Sequence, residues 1–231
     1  MKPRSFPVIL LFLLAGLPTA CKDDDSLGAN TANTSTGTPI DLGLSVRWAD
    51  INVGATKPEE FGWYVAWGET RPKNDYNWSS YKYCNGKQTN LTKYCTNPDY
   101  GTVDGRTMLE PSDDVATIQW GHPWRIPSLS EMDELVTQCT WTWTTLKDVS
   151  GYRVTGPNGN SIFLPTAGYR YDKRTGGVGT FAGYWTSECE EQDPYDAARL
   201  YFDVGGYEVI GYNRWSGRNV RPVLADTDNF N

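Results

Sequence analysis

The chain has 231 residues, a formal net charge of −7 at pH 7 and a sequence pI of about 4.8. An acidic chain lacks the basic face that a phosphate backbone requires, which argues against nucleic acid as a partner. Aromatic residues make up 13 % of the chain and glycine is frequent, which predicts short strands joined by long packed loops.

The first twenty residues have the parts of a signal peptide. Lys2 and Arg4 are positive, and residues 6–14 form an apolar run that is short for a membrane span. The segment before Cys21 resembles a lipobox, although Pro18 stands where that motif has Leu. We therefore expect Cys21 to be lipidated and to anchor the protein to a membrane. The alternative is an ordinary secretory peptide that leaves Cys21 as a free thiol.

An acidic cluster, Asp23–Asp25, follows Cys21 and resembles the surface-export signal of Bacteroidetes lipoproteins, a solvated linker being the alternative. The next residues carry almost no apolar bulk, so they should form a flexible tether. We expect a lipid anchor in the outer membrane, with the domain at the cell surface. The predicted organisation is a signal peptide (1–20), a lipidated tether (21–38), one domain (39–225) and a tail (226–231).

Four cysteines fall within the predicted domain. Cys84 and Cys95 flank an Asn-Gly turn signal, so a disulfide between them is the best pairing, and its loop closure would contribute on the order of 3 kcal/mol. Cys139 and Cys189 either pair or remain buried thiols, because sequence does not fix their separation. The spacing of His and Cys does not fit a zinc site, so no metal site is assigned.

The first half of the domain is predicted to contain little regular structure. Alternating apolar residues predict a strand over residues 41–49, and an aromatic segment follows at residues 61–67. The tyrosine-rich and turn-rich residues 71–108 are interpreted as a disulfide-closed loop insertion. Acidic residues near its start predict a short helix over residues 113–120.

A second helix is predicted from its capping pattern. Ser128 and Glu131 have the spacing of a capping box, so the helix should begin after Ser128 and end near Gln138. The apolar residues at helical spacing, which should face the core, are Leu129, Met132, Leu135 and Val136.

The second half is predicted to consist of strands. Trp141 and Trp143 alternate with threonine, and residues 152–154 and 161–165 flank an Asn-Gly turn as a hairpin would. The further strands predicted are 183–187, 198–203, 207–212 and 219–223, with Gly205-Gly206 as a tight turn.

Several segments, in this order, resemble the Fibrobacter succinogenes major paralogous domain, whose members are secreted and include many Bacteroidetes lipoproteins. The resemblance implies an α+β, C-type-lectin-like fold with mixed short strands, one or two helices, long loops, and paired N- and C-terminal strands. The matching segments span most of residues 39–224 and are DLGLSVRWA (41–49), WRIP (124–127), IFLPTAGYR (162–170), YWTS (184–187) and GRNVRPV (217–223).

The chemistry-bearing residues favour binding over catalysis. His122 is the only histidine, and it stands alone. The formylglycine-generating enzymes related to this fold act through C-terminal cysteines, whereas Cys189 lacks a close partner in the sequence. We therefore expect no catalytic residue and no cofactor. Calcium-dependent sugar binding through the acidic residues of segment 188–196 is an alternative, although the lectin motifs Glu-Pro-Asn and Trp-Asn-Asp are missing from the corresponding positions.

The resemblance also implies a ligand surface just before the closing strand, where related variable proteins contact their ligands. Tyr, Trp, Arg and Asn are favoured contact residues, and core packing of Tyr212 and Trp215 is the alternative. The prediction is a surface lipoprotein with a non-catalytic binding or adhesion module for a protein or glycan. A carbohydrate-binding accessory of glycan uptake and a structural surface protein are alternatives. The predicted contact residues are Tyr207, Tyr212, Asn213, Arg214, Trp215, Arg218 and Asn219, with Glu208 beside them.

Overall fold

A computed structural model describes residues 35–225, which form two α-helices and four small antiparallel sheets. The predicted signal peptide, Cys21, most of the tether and the tail lie outside the described residues. The α+β class is confirmed. The helices are α1 (Val115–Trp120) and α2 (Leu129–Gln138). The strands are β1 (Pro39–Ile40), β2 (Val46–Ala49), β3 (Trp124–Arg125), β4 (Thr140–Leu146), β5 (Val149–Thr155), β6 (Ser161–Pro165), β7 (Tyr169–Tyr171), β8 (Arg174–Gly176), β9 (Phe181–Cys189), β10 (Asp196–Asp203), β11 (Gly206–Asn213) and β12 (Val223–Ala225).

The first sheet joins the two ends of the described domain, in the order β1-β2-β12-β3. Val223 lies opposite Trp48 in an antiparallel pair, so the predicted pairing of the terminal strands is confirmed. Both strands are shorter than predicted. Residues 41–45 bend around Gly43, whose φ is +75°, and the closing strand starts only after Pro222, which has no N–H to donate to a ladder.

The two predicted helices are present. The capping box of α2 is complete: the Ser128 hydroxyl accepts from the Glu131 N–H, and the Glu131 carboxylate accepts from the Ser128 N–H. Met132 and Leu135 are fully buried, whereas Leu129 is 36 % exposed and lies at the edge of the apolar face. Helix α1 starts two residues later than predicted because a separate 3-10 turn, Pro111–Asp113, precedes it.

Two three-stranded sheets form the second half. The predicted Asn-Gly hairpin joins β5 to β6, and β4 completes the sheet β4-β5-β6. The other sheet has the order β11-β10-β9, with β10 at its centre. Segment 61–67 forms no strand and pairs through a single bridge between Val65 and Arg218.

Residues 71–108 contain no α-helix or β-strand, but four of their tyrosines pack together as a buried tyrosine layer. Tyr76, Tyr81, Tyr83 and Tyr94 are buried in the apolar cluster around Trp67, and several of their rings meet edge to face. A tyrosine can be buried in this way when its hydroxyl reaches an acceptor, as the Tyr81 hydroxyl does at the Trp67 carbonyl (2.9 Å).

The predicted disulfide between Cys84 and Cys95 is not formed in the structure, where both are free thiols. The Cys84 sulfur contacts the Trp78 carbonyl at 3.0 Å, and the Cys95 sulfur contacts the Asn97 carbonyl at 3.1 Å. The segment is held by backbone bridges instead. Its backbone pairs Leu91 with Cys84 and with Gly101. Cys139 and Cys189 are also free thiols.

Within residues 35–225, neither helix has the length and apolar character needed to cross a membrane.

Candidate functional site

One face of the β11-β10-β9 sheet carries two buried arginines between aromatic rings. Side chains alternate along a strand, and in β10 the residues Leu200 and Phe202 face the apolar core. Arg199 and Tyr201 therefore face the opposite side. Arg218 reaches the same place from the loop that follows β11.

The two guanidinium groups and the neighbouring tyrosine rings alternate in space. The guanidinium carbon of Arg199 lies 5.1 Å from the ring centroid of Tyr201 and 4.8 Å from that of Tyr212. The guanidinium carbon of Arg218 lies 4.5 Å from the Tyr212 ring and 4.7 Å from the Tyr169 ring. These distances fall within the range of cation–π attraction. Tyr212 is therefore shared by both arginines.

Phe181 closes this arrangement. Its ring centroid lies 5.5 Å from that of Tyr169 and 5.7 Å from that of Tyr201. We refer to the closed group as the arginine–tyrosine ring; its members are Arg199, Arg218, Tyr169, Phe181, Tyr201 and Tyr212.

Gly183 of β9 makes room for both guanidinium groups. It lies opposite Tyr201 in the register of β9 and β10. A Cβ atom at this position would lie 3.0 Å from Cδ of Arg218 and 3.4 Å from Cδ of Arg199. A side chain at this position would therefore crowd Arg218 and touch Arg199.

The two charges in the ring have no acidic partner. Arg199 is 6 % and Arg218 is 2 % exposed, and no carboxylate among residues 35–225 forms an ion pair with either. Nε and Nη1 of Arg199 and Nη1 of Arg218 have no hydrogen-bond partner there, and Nε of Arg218 donates only to the Ser216 hydroxyl. Burial lowers the pKa of both groups, and the proximity of Arg199 helps to lower the pKa of Arg218 to about 9. Both arginines remain charged at neutral pH.

Two other buried arginines have hydrogen-bond partners for most of their donors. Arg221 donates to the Asn52 side chain and to the carbonyls of Ala49 and Phe163, at 2.8 to 3.0 Å. Arg214 donates to the carbonyls of Tyr94 and Lys93, which fastens the tyrosine layer. Hydrogen bonds to backbone carbonyls are what a structural arginine requires. Arg214 leaves only its Nε without a partner, and both of these arginines are fastened to backbone carbonyls. The side chains of Arg199 and Arg218 donate to no backbone carbonyl of residues 35–225, which distinguishes them from this structural pair.

The structure brings only two of the predicted contact residues, Tyr212 and Arg218, into the ring. Tyr207 alternates with Tyr212 along β11 and lies on the opposite face, stacked on Trp141 with centroids 4.4 Å apart. Trp215 packs against the core cluster and donates to the Asn213 side chain.

Asn213, Arg214 and Asn219 also have internal partners, which corrects their prediction as exposed contact residues. Asn213 is half-buried and donates to Asp196. Arg214 and Asn219 are fully buried. The Asn219 amide donates to the carbonyls of Phe61 and Trp63 and so holds the aromatic segment.

Arg199, Tyr169, Phe181 and Tyr201 were not among the predicted contact residues. One signal was present in the sequence: Arg199 is the only charge between Asp196 and Asp203, in an otherwise apolar run that forms a central strand. A glycine within the neighbouring strand, Gly183, is a second signal, because such a residue often marks a close approach by another group.

Two thiols and the histidine are the groups that a catalytic role would draw on first. Burial raises the pKa of Cys139 and of Cys189 to about 11, so both thiols are protonated at neutral pH and are weak nucleophiles. His122 is exposed at the surface.

The acidic residues of segment 188–196 do not converge on one point. Glu188 accepts hydrogen bonds from Leu129 and Ser187, and Asp196 accepts from Asn213. In the described part of the chain, no three His, Cys, Asp or Glu side chains are grouped as metal ligands would be.

The tyrosine layer beside the sheet has its own buried charge, Asp113. Its Oδ2 accepts from Lys93 Nζ at 2.6 Å and from the Tyr94 hydroxyl at 2.7 Å. Burial alone would raise the pKa of Asp113, but these hydrogen bonds outweigh it and lower the pKa to about 2.

We expect Asp113→Asn to lower the free energy of unfolding at pH 7 by about 2 kcal/mol. The folded-state pKa of Asp113 lies below its usual value of 3.8, so the stabilisation is complete above that pH and is lost as the pH falls to about 2. Urea unfolding across this range should show the wild type and the variant converging at the acidic end. The exposed Asp99→Asn is the control, and a pH-independent difference for Asp113→Asn would contradict the assignment.

Comparison with protein-family models, with curated proteins and with solved structures gave no match. The functional assignment therefore depends on the chemistry of the arginine–tyrosine ring.

Proposed function

We propose that this protein is a surface lipoprotein whose domain binds a ligand, without catalysing its conversion, through the sheet face that carries the arginine–tyrosine ring. One observation carries the proposal: two buried guanidinium groups hold hydrogen-bond donors that no described residue satisfies. Buried polar groups of folded proteins are nearly always hydrogen-bonded, so orphaned donors at one point call for a partner from outside the chain.

The chemistry of the ring suits binding. Guanidinium groups remain protonated and serve as fixed donors, so they do not exchange protons as a general acid or base does. Aromatic side chains offer large contact areas with few rotatable bonds, and Tyr and Arg are enriched where binding energy is concentrated.

The proposed fold is C-type-lectin-like, in the manner of the Fibrobacter succinogenes major paralogous domain. The paired terminal strands and helix α2, packed against the central sheets, support this proposal. Pairing of the ends also suits a domain held by one N-terminal tether, with Cys21 as the proposed lipid anchor at the outer membrane.

Intact cells that produce the full chain provide the test. They are expected to capture a ligand from fluorescent panels of glycans and extracellular proteins, and to lose capture after surface proteolysis or with Cys21→Ser. Tyr212→Ala should abolish capture, because it removes the aromatic side chain shared by both arginines. The control is Tyr100→Ala, which removes another half-buried tyrosine that packs on Tyr195 and not on either arginine. Capture that is insensitive to Tyr212→Ala would reject the ring as the binding surface.

A further inference from the structure

We propose that the arginine–tyrosine ring recognises the oxyanion of an acidic saccharide, a carboxylate or a sulfate group carried on a sugar. This inference rests on the proposed function, since it names the ligand class of the same surface.

The charge balance of the arginine–tyrosine ring favours an anionic ligand. Two cations lie against one shared aromatic ring, and each is more than nine-tenths buried. Asp196 and Glu208 exert an attraction on Arg199, but neither forms an ion pair with it. An oxyanion would supply both the missing charge and the missing acceptors. Arg binds carboxylate and sulfate oxygens through paired N–H donors, in hydrogen bonds stronger than neutral ones.

The surroundings of the two cations favour a sugar as the carrier of that anion. The arginine–tyrosine ring presents the faces of its aromatic side chains. Tyr171 extends this aromatic surface by stacking on Tyr169, with centroids 5.2 Å apart. Such faces pack against the C–H surface of a pyranose. A shallow concavity of about 250 Å³ adjoins Tyr201, and the exposed Glu208 carboxylate on its wall can accept from sugar hydroxyls. Its size suits one small unit of a ligand.

A path to the buried donors passes Tyr212. The Tyr201 hydroxyl is held by Asp203 at 2.9 Å. By contrast, the half-buried Tyr169 and Tyr212 have no hydrogen bond to their hydroxyls from any residue in the described range. Because the Tyr212 ring lies against both guanidinium groups, rotation of its side chain would uncover one side of each, and the displaced ring can pack on the incoming sugar.

Calorimetric titration of the full chain with four probes tests the inference. The probes are trigalacturonate, a sulfated galactose trisaccharide, neutral galactotriose and inorganic sulfate. We expect at least one acidic trisaccharide to bind at least tenfold more tightly than galactotriose and than inorganic sulfate. Its affinity should fall as sodium chloride is raised, because salt screens the charge attraction.

Variants locate the site. Arg199→Gln and Arg218→Gln should each weaken binding of the acidic probe at least tenfold, whereas the exposed Arg153→Gln, an equal charge change outside the ring, should not. Gly183→Ala keeps both charges but crowds Arg218, and it should weaken binding as well. Melting temperatures establish that each variant is folded. If a glutamine variant unfolds, the affinity of Gly183→Ala for the acidic probe decides whether the arginines bind it.

The outcomes separate this inference from the proposed function. If galactotriose binds as tightly as the acidic trisaccharides, the oxyanion assignment is overturned; if inorganic sulfate does, the saccharide assignment is overturned. If no acidic trisaccharide binds while a ligand from the cell panels is captured in a Tyr212-dependent manner, this inference fails and the proposed function stands. If neither occurs, both fail.

Discussion

Replacing Arg221 by Met is expected to lower the free energy of unfolding by about 4 kcal/mol. Arg221 is 1 % exposed and donates to Asn52 and to the carbonyls of Ala49 and Phe163. It thereby ties the terminal strand β2 to the hairpin strand β6. Methionine fills a similar volume but has no donor, so three acceptors lose a partner, and each unsatisfied buried group costs roughly 1–3 kcal/mol.

Equilibrium unfolding in guanidinium chloride measures this loss. Arg153 provides a matched control, because it lies on β5 directly opposite Phe163 but is exposed to solvent. Arg153→Met should change stability by less than about 0.5 kcal/mol. If Arg221→Met costs no more than Arg153→Met, the hydrogen bonds of Arg221 do not hold the terminal strands to the hairpin.

Patterns that act over a few residues made much of the fold predictable. The capping box at Ser128 and the Asn-Gly turn of the β5–β6 hairpin depend on neighbours in sequence, and both are present in the structure. The first strand was predicted too long because the alternation of its apolar residues continues through Gly43, where the backbone turns. The burial of the tyrosine layer was not predicted, because tyrosine is buried or exposed according to whether a distant carbonyl receives its hydroxyl.

The candidate site was only partly predictable, because it depends on register and on long-range contacts. Tyr212 and Arg218 were predicted from the likeness of their segment to known contact surfaces. The sequence alone does not distinguish Tyr207 from Tyr212 as a contact residue. They lie on opposite faces of the sheet because they are an odd number of positions apart along β11. Arg199 meets Tyr212 because of the pairing of β10 with β11, and Arg218 reaches them from a loop. The disulfide prediction was wrong for a related reason: a turn signal between two cysteines says nothing about the directions of their side chains.

Replacing Arg199 by Met is expected to raise the free energy of unfolding, by about 2 kcal/mol, the opposite sign to Arg221. The folded protein holds Arg199 charged, buried and without an acidic partner, next to a second cation, Arg218. Desolvation of such an ion costs several kcal/mol, whereas its contacts with the rings of Tyr201 and Tyr212 return about 1–2 kcal/mol each. Methionine packs between the same rings without a charge to desolvate.

The sign of the Arg199→Met effect separates a ligand site from a structural stack. Equilibrium unfolding in guanidinium chloride of this variant and of Arg221→Met supplies the measurement. Melting temperatures should rank the two variants and the wild type in the same order. A stability gain accompanied by loss of acidic-trisaccharide binding would mean that Arg199 is retained for its ligand and against the stability of the free domain, as residues of binding sites often are. A loss as large as that of Arg221→Met would instead mean that the alternating cations and tyrosines hold the sheet together, and the unpaired donors of Arg199 would then need no ligand to explain them.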